Sequence, residues 1–297
     1  MKRPLIIIVI TLLLVTLIGC EILQPKPDKP KIYFLGVGLD YKNISGAGNL
    51  DGTIPDTKEL ASALYHRGKE MGVEVEITLM LQEGDIPVDN PNLYPLKDNV
   101  LSQIERIKKK LTPSDIFIFY FAGHGLTDSG DLTLVNAGGM RDFLTIDELY
   151  YELKEVAVTK LLILDSCFSG AHEVPYPLLP KAREGEELHY LASQFYLLAS
   201  AADDLSYEYG GHGFMTLNLL AALGWDHDGE SEITDFENTP YPVNGHIPVG
   251  STSPIERGGN IYLSDLFKYI RGVRSINNQK AQTGEGPIEL ILFSRHW

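Results

Sequence analysis

Two short stretches of this sequence could start a reaction: Gly123-His124-Gly125, and Asp165-Ser166-Cys167. A thiol with its ordinary pKa of ~8.5 is mostly protonated at neutral pH, and a neighbouring imidazolium lowers that to ~3.5–7.5, giving a thiolate nucleophile. The same imidazole can hand the proton to a departing amine. Acyl transfer also needs donors for the developing oxyanion, and backbone N–H groups at small-residue turns, such as those of Gly125 and Cys167, can supply them. Glycines on both sides of His124 leave room for a substrate carbonyl to approach.

Such a pair works only if the fold brings its members together. Asp115 to Ala122 reads Asp-Ile-Phe-Ile-Phe-Tyr-Phe-Ala, and Leu161 to Leu164 is equally unbroken. Apolar runs without alternation suit strands buried on both faces of a parallel sheet, where chemistry gathers at the carboxyl ends. Two such strands side by side would place His124 and Cys167 on one edge.

The rest of the chain supplies the alternating partners. Strands are expected at Ile32–Gly38, Val73–Leu81 and Phe195–Ala199, with Ile288–Phe293 as a closing edge strand and a short strand or hairpin at Asp131–Val135. Helices are expected at about Asp56–Glu70, Leu96–Leu111, Phe214–Leu223 and Leu263–Val273. A further helix over Thr145–Glu155 opens with Thr145 and Glu148 in capping-box spacing. This order predicts a three-layer α/β/α sandwich with a mostly parallel central sheet. Phe168–Tyr190 is a long polar loop, and Gly224–Asn260, rich in Gly, Pro and acidic residues, reads as an irregular insertion.

The net charge of −15 argues against nucleic acid and against charge-driven adhesion to anionic lipid. Membrane attachment would come from the N-terminus instead, where Lys2 and Arg3 precede an apolar run from Leu5 to Ile18. Its end, Leu17-Ile18-Gly19-Cys20, resembles the lipobox of bacterial lipoproteins. That implies a signal over residues 1–19, a lipidated Cys20, a Pro-rich tether over 20–31 and a domain over 32–297, held on the extracytoplasmic side of a membrane in the cell envelope. An uncleaved anchor helix is the alternative. Cys20 and Cys167 are the only cysteines, so lipidation of the first leaves the second as a lone thiol.

Tyr120-Phe-Ala-Gly-His-Gly followed by Asp165-Ser-Cys-Phe-Ser-Gly resembles the catalytic pair of the caspase-like cysteine peptidases, especially bacterial caspase homologues and metacaspases. Gly36–Leu60, the segment from Leu198 to Tyr209 and Gly211-His-Gly-Phe-Met-Thr are similar to further parts of that family. The resemblance implies a caspase-like fold and endopeptidase activity on protein or peptide substrates. It implies His124 as base and acid, Cys167 as nucleophile, and the Gly125 and Cys167 N–H groups as oxyanion hole. Asp56 and Asp165 match positions that form an acidic pocket in metacaspases, so cleavage after Arg or Lys is expected. Lys181 and Arg183 then become candidate self-cleavage sites. Ala122, Thr53 and Phe168 depart from the metacaspase pattern, where serine, cysteine and histidine are common.

No metal or other cofactor is expected in the chemical step, and no zinc-ligand spacing is present. Asp226-His-Asp-Gly-Glu, with Asp235 and Glu237, hints at Ca2+, although a solvated acidic loop suits the same residues. His172 and His212 have no partner in the sequence and read as surface histidines. The rival to an enzyme is a non-catalytic, cell-surface binding lipoprotein that uses the same domain as a scaffold.

Overall fold

The computed structural model describes residues 29–84, 90–127, 129–153, 158–167, 169, 195–199, 208–272, 282–283 and 290–297. In chain order the first elements are β1 (Ile32–Leu39), α1 (Thr53–Met71), β2 (Val75–Gln82), α2 (Lys97–Lys108), β3 (Ile116–Ala122), β4 (Leu132–Val135) and β5 (Arg141–Leu144). They are followed by α3 (Ile146–Leu153), β6 (Thr159–Asp165), β7 (Phe195–Ala199), β8 (Glu208–Tyr209), β9 (His212–Gly213) and α4 (Phe214–Leu223). The last are β10 (Asp226–Thr234), β11 (Pro240–His246), β12 (Asn260–Tyr262), α5 (Leu263–Gly272), β13 (Gln282–Thr283) and β14 (Ile291–Ser294).

Among the described residues the central sheet runs β13-β7-β6-β3-β1-β2. β2, β1, β3, β6 and β7 are parallel, and β13 lies antiparallel on β7. Successive side chains of a strand point to opposite faces, and here both faces are covered, which is why the strand sequences show no polar alternation. Phe34, Ile118 and Ile163 join a core with Leu60 and Leu64 of α1, Leu219 of α4 and Leu266 of α5. Leu35, Phe119 and Leu162 join a second core with Val100 and Ile104 of α2 and Leu149 of α3. Two helical layers and one sheet make the three-layer α/β/α sandwich.

Local signals are realised where local physics decides. Thr145 Oγ1 accepts from Glu148 N–H at 3.1 Å while Glu148 Oε2 accepts from Thr145 N–H at 3.0 Å, the reciprocal capping box that starts α3. Phe195–Ala199 and Phe214–Leu223 have the bounds expected of them.

Two expectations are corrected. Gly224–Asn260 is not irregular: β10 and β11 form an antiparallel hairpin with a bulge between Asp226 and Glu230. Most of its side chains face solvent, and among its strand residues Ile233 and Val243 are buried in the core with Tyr241 packed against it, so the apolar signal of a strand is thin. The last strand, β14, does not close the main sheet; it pairs antiparallel with β12 in a separate two-stranded ribbon.

Candidate active site

β3 and β6 are parallel neighbours with Ala122 opposite Asp165. His124 and Cys167 each lie two residues beyond that pair and leave the sheet at the same edge. The ladder runs on by one bond, from Gly123 N–H to the Asp165 carbonyl at 3.3 Å. Gly125 then lies against the backbone of Cys167. A Cβ on Gly125 would sit 2.0 Å from the Cys167 carbonyl oxygen and 3.3 Å from its nitrogen, a collision with backbone that no rotamer relieves. The two candidate oxyanion donors are thus on touching segments, and Cys167 is a half-buried thiol.

His124 is held on three sides. Its N–H donates to the Tyr41 hydroxyl at 2.9 Å, its carbonyl accepts from Thr133 N–H at 2.9 Å, and the Tyr41 hydroxyl donates to the Thr133 carbonyl at 2.7 Å. The Tyr41 ring packs 4.6 Å from the imidazole, centroid to centroid. Burial pushes the Tyr41 phenol far above its ordinary pKa, so it stays a donor. The imidazole Nε2 lies 2.7 Å from the carbonyl oxygen of Gly48. A carbonyl can only accept, so Nε2 carries a hydrogen and Nδ1 is the nitrogen left to exchange a proton. Gly48 belongs to the loop that follows β1, which turns through left-handed backbone at Tyr41 (φ 56°) and Asn43 (φ 65°). Bonds from Leu50 N–H to the Asp40 carbonyl and from Ser45 N–H to the Gly139 carbonyl, both 2.9 Å, fix it over the sheet edge.

Asp56 and Asp165, 109 positions apart in the sequence, converge at the start of α4. Asp56 Oδ2 accepts from Gly213 N–H at 2.7 Å, and Asp165 Oδ2 accepts from the Thr216 N–H at 3.0 Å and its hydroxyl at 2.7 Å. Gly213 precedes α4 and has no capping side chain of its own, so the two carboxylates cap the helix from outside and meet the positive end of its dipole. Gly213 fits between them only because it lacks a side chain: a Cβ would be 2.4 Å from Asp165 Oδ2 and 3.1 Å from Asp56 Oδ2. His212 Nδ1 closes the group, 2.7 Å from Asp56 Oδ1. With 1 % of its surface exposed, Asp56 is raised by burial to a pKa of about 7, the His212 bond opposing the rise and the charge of Asp165 adding to it.

Comparison with known proteins gives this arrangement a family. A caspase-domain family model matches residues 37–239, more than half of the chain. The chain belongs to the caspase-domain family. Metacaspase-1 of Plasmodium falciparum is 20% identical over 270 residues, covering 83% of this chain and 43% of that protein. Metacaspase-1 of Plasmodium berghei is 28% identical over 125 residues, 39% of this chain and 20% of the relative. The chain spans less than half the length of these relatives. A crystal structure of a Geobacter sulfurreducens protein superposes with a TM-score of 0.52 at 20% identity, over 87% of this chain and 95% of that one, a likeness of fold alone.

Within the caspase domain, sequence reasoning missed Gly48, Tyr41 and the neighbours of Asp56. A backbone carbonyl has no signature in sequence, and Tyr41 reads as one more aromatic. His212 is corrected outright: it is a half-buried partner of Asp56, not a surface histidine, and the separation of 156 positions hid it. The carboxylates of the acidic hairpin have local partners: Asp226 Oδ1 accepts from Asp228 N–H at 3.0 Å, Asp235 Oδ1 from Glu237 and Thr239 N–H at 2.8 and 2.9 Å, and Glu237 pairs with Arg106 at 3.2 Å. Calcium there would have to displace these bonds. Cys20, His172, Lys181 and Arg183 lie outside the described residues, and among those described no helix is long and apolar enough to cross a membrane.

Proposed function

We propose that this protein is a cysteine endopeptidase that cleaves after Arg or Lys, with Cys167 as nucleophile and His124 as acid and base. The observation that carries the reading is the His124 bond to Gly48, which keeps a hydrogen on Nε2 and leaves Nδ1 as the nitrogen that can exchange a proton, at the same sheet edge as a half-buried thiol. His124 takes the thiol proton, and the Cys167 sulfur bonds to the substrate carbonyl carbon. The oxyanion so formed accepts hydrogen bonds from the Gly125 and Cys167 N–H groups. His124 then gives its proton to the amine as the C–N bond breaks, and water, deprotonated by His124, releases the acyl group. No step draws on a metal; calcium at Asp226–Glu237 would act on the hairpin, not in the chemistry.

Asp56 and Asp165 are the proposed pocket for the cationic side chain before the cut. Buried carboxylates in a pair favour an arriving cation, and Arg has a fork of donors suited to two of them. In the structure that position is filled by Gly213 and His212, so substrate binding must move β9 aside. The same preference proposes Lys181 and Arg183 as self-cleavage sites. A lipid on Cys20 would place the domain on the outer side of a membrane in the cell envelope.

The test is a matched set of peptides with Arg, Lys, Asp or Asn before the scissile bond, offered to the parent, Cys167→Ala and Asp165→Asn proteins. Cleavage after Arg and Lys by the parent, none by Cys167→Ala and a weakened Arg preference in Asp165→Asn are expected. Preference for Asp in the parent would refute the pocket. A Cys167 that resists iodoacetamide at mildly acidic pH in folded protein would favour the scaffold reading.

A further inference from the structure

Beside the acidic pair lies a second cluster that the peptidase reading does not use. Glu59 follows Asp56 by one turn of α1 and so shares its face of the helix. It is 5 % exposed, and its buried Oε2 accepts no hydrogen bond of normal geometry, the Trp225 indole being a nearby donor to the carboxylate. Leaving a carboxylate oxygen in that state is costly unless a cation completes it. Two histidines from other elements face it: His212 of β9, with Nδ1 4.0 Å from Glu59 Oε2, and His227 of β10, with Nδ1 3.8 Å from the same oxygen. Their rings lie 5.4 Å apart, centroid to centroid, and each of the three residues offers a donor atom within 4.8 Å of the other two.

We propose that Glu59, His212 and His227 form a binding site for a divalent transition-metal ion of the zinc class. Tetrahedral zinc with ligand bonds of about 2.0–2.2 Å holds its donors roughly 3.3–3.6 Å apart, so donors that lie within 4.8 Å of one another would draw together by up to about 1.5 Å. Two imidazoles and one carboxylate suit zinc and its neighbours, whereas Ca2+ prefers sets made entirely of oxygen. A metal-binding imidazole commonly bonds a carboxylate through its other nitrogen; Nδ1 of His212 already holds Asp56 at 2.7 Å, so Nε2 is the nitrogen His212 would offer the ion. The fourth position would be left to water.

The ion would tie α1, β9 and the β10–β11 hairpin together. It would also fasten the His212–Gly213 segment over Asp56 and Asp165. That consequence rests on the pocket reading above; metal binding itself does not.

The experiment uses the full-length Cys167→Ala protein, which removes the candidate nucleophile as a competing ligand and makes the readout independent of peptidase activity. The protein is dialysed against micromolar Zn2+ with Ca2+ in excess, and retained zinc and Tm are measured. One zinc per chain and a raised Tm are expected, with zinc affinity in Cys167→Ala/His227→Ala reduced by more than the ~10–100-fold typical of losing an outer-shell partner. His227 is exposed, so that variant should fold, and Glu59→Gln is a second check on the carboxylate. No zinc uptake, or equal uptake with and without His227, would overturn the proposal.

Discussion

Nε2 of His124 lies 2.7 Å from the carbonyl oxygen of Gly48, and this one contact assigns the tautomer of the imidazole. The hydrogen sits on Nε2, so Nδ1 is the nitrogen that can accept a proton. The ring is thereby oriented by a backbone group that no point substitution removes, while Tyr41 and Thr133 hold the residue's main chain from the other side.

Removing the Tyr41 hydroxyl should therefore affect the chemistry more than substrate binding. Tyr41→Phe takes away the acceptor of the His124 N–H and the donor to Thr133, at a cost of about 1–3 kcal/mol in stability. A fall in kcat with little change in KM is expected for Arg peptides. Steady-state kinetics at a temperature well below the variant's Tm would check it, and unchanged kcat would show that His124 needs no such support.

Gly125→Ala tests the contact of the two turns. With Cβ placed 2.0 Å from the Cys167 carbonyl oxygen, one of the turns must shift and misdirect a proposed oxyanion donor. A loss of roughly 10²–10³ in kcat is expected, the size seen when one such donor is lost. Circular dichroism should still report the sandwich. Full activity in Gly125→Ala would remove Gly125 from the oxyanion hole.

Cys167→Ala and His124→Ala should each abolish cleavage, and the double variant should be no worse than either, because the two act as a unit. Activity surviving in Cys167→Ala would end the proposed mechanism.

The pKa of Asp56, raised to about 7, gives two pH dependences. The folded protein keeps a proton that the unfolded chain releases near pH 4, so the stability from this group is fully present below about pH 4 and lost as pH rises to about 7. Asp56→Asn should flatten that slope, a difference on the order of a few kcal/mol readable by urea denaturation at pH 4.5 and 8. An arriving Arg has the opposite preference, for ionised Asp56. KM for Arg peptides should therefore climb as pH falls below about 7, and a profile unchanged in Asp56→Asn would exclude Asp56 from the pocket.

If Cys20 carries the proposed lipid, replacing it by Ser should leave the proposed leader uncleaved or release the protein from membranes. Fractionation and N-terminal sequencing of the mature chain decide it: a variant that matures and stays membrane-bound like the parent would discard the lipid anchor.

What the sequence determined by itself is what short-range physics encodes. The unbroken apolar runs ending at Ala122 and Leu164 could be little else than strands buried on both faces, and the Thr145–Glu148 box starts its helix because the bonding partners are three residues apart. The glycines around His124 and the turn at Cys167 mark a candidate place for chemistry in the sequence alone. The hairpin at Asp226–His246 escaped because its strands bury few apolar side chains, and β14 was seen but its partner was not. Only the tertiary structure decided which groups surround the two candidate residues. The Gly48 carbonyl is a backbone atom that every residue possesses, so no letter of the sequence distinguishes it. His212 meets Asp56, and Glu59 and His227 meet His212, across separations that composition and periodicity do not register. Those contacts exist because α1 and α4 pack on one face of the sheet and the hairpin folds back on α1, which brings buried charges together that the chain order keeps apart.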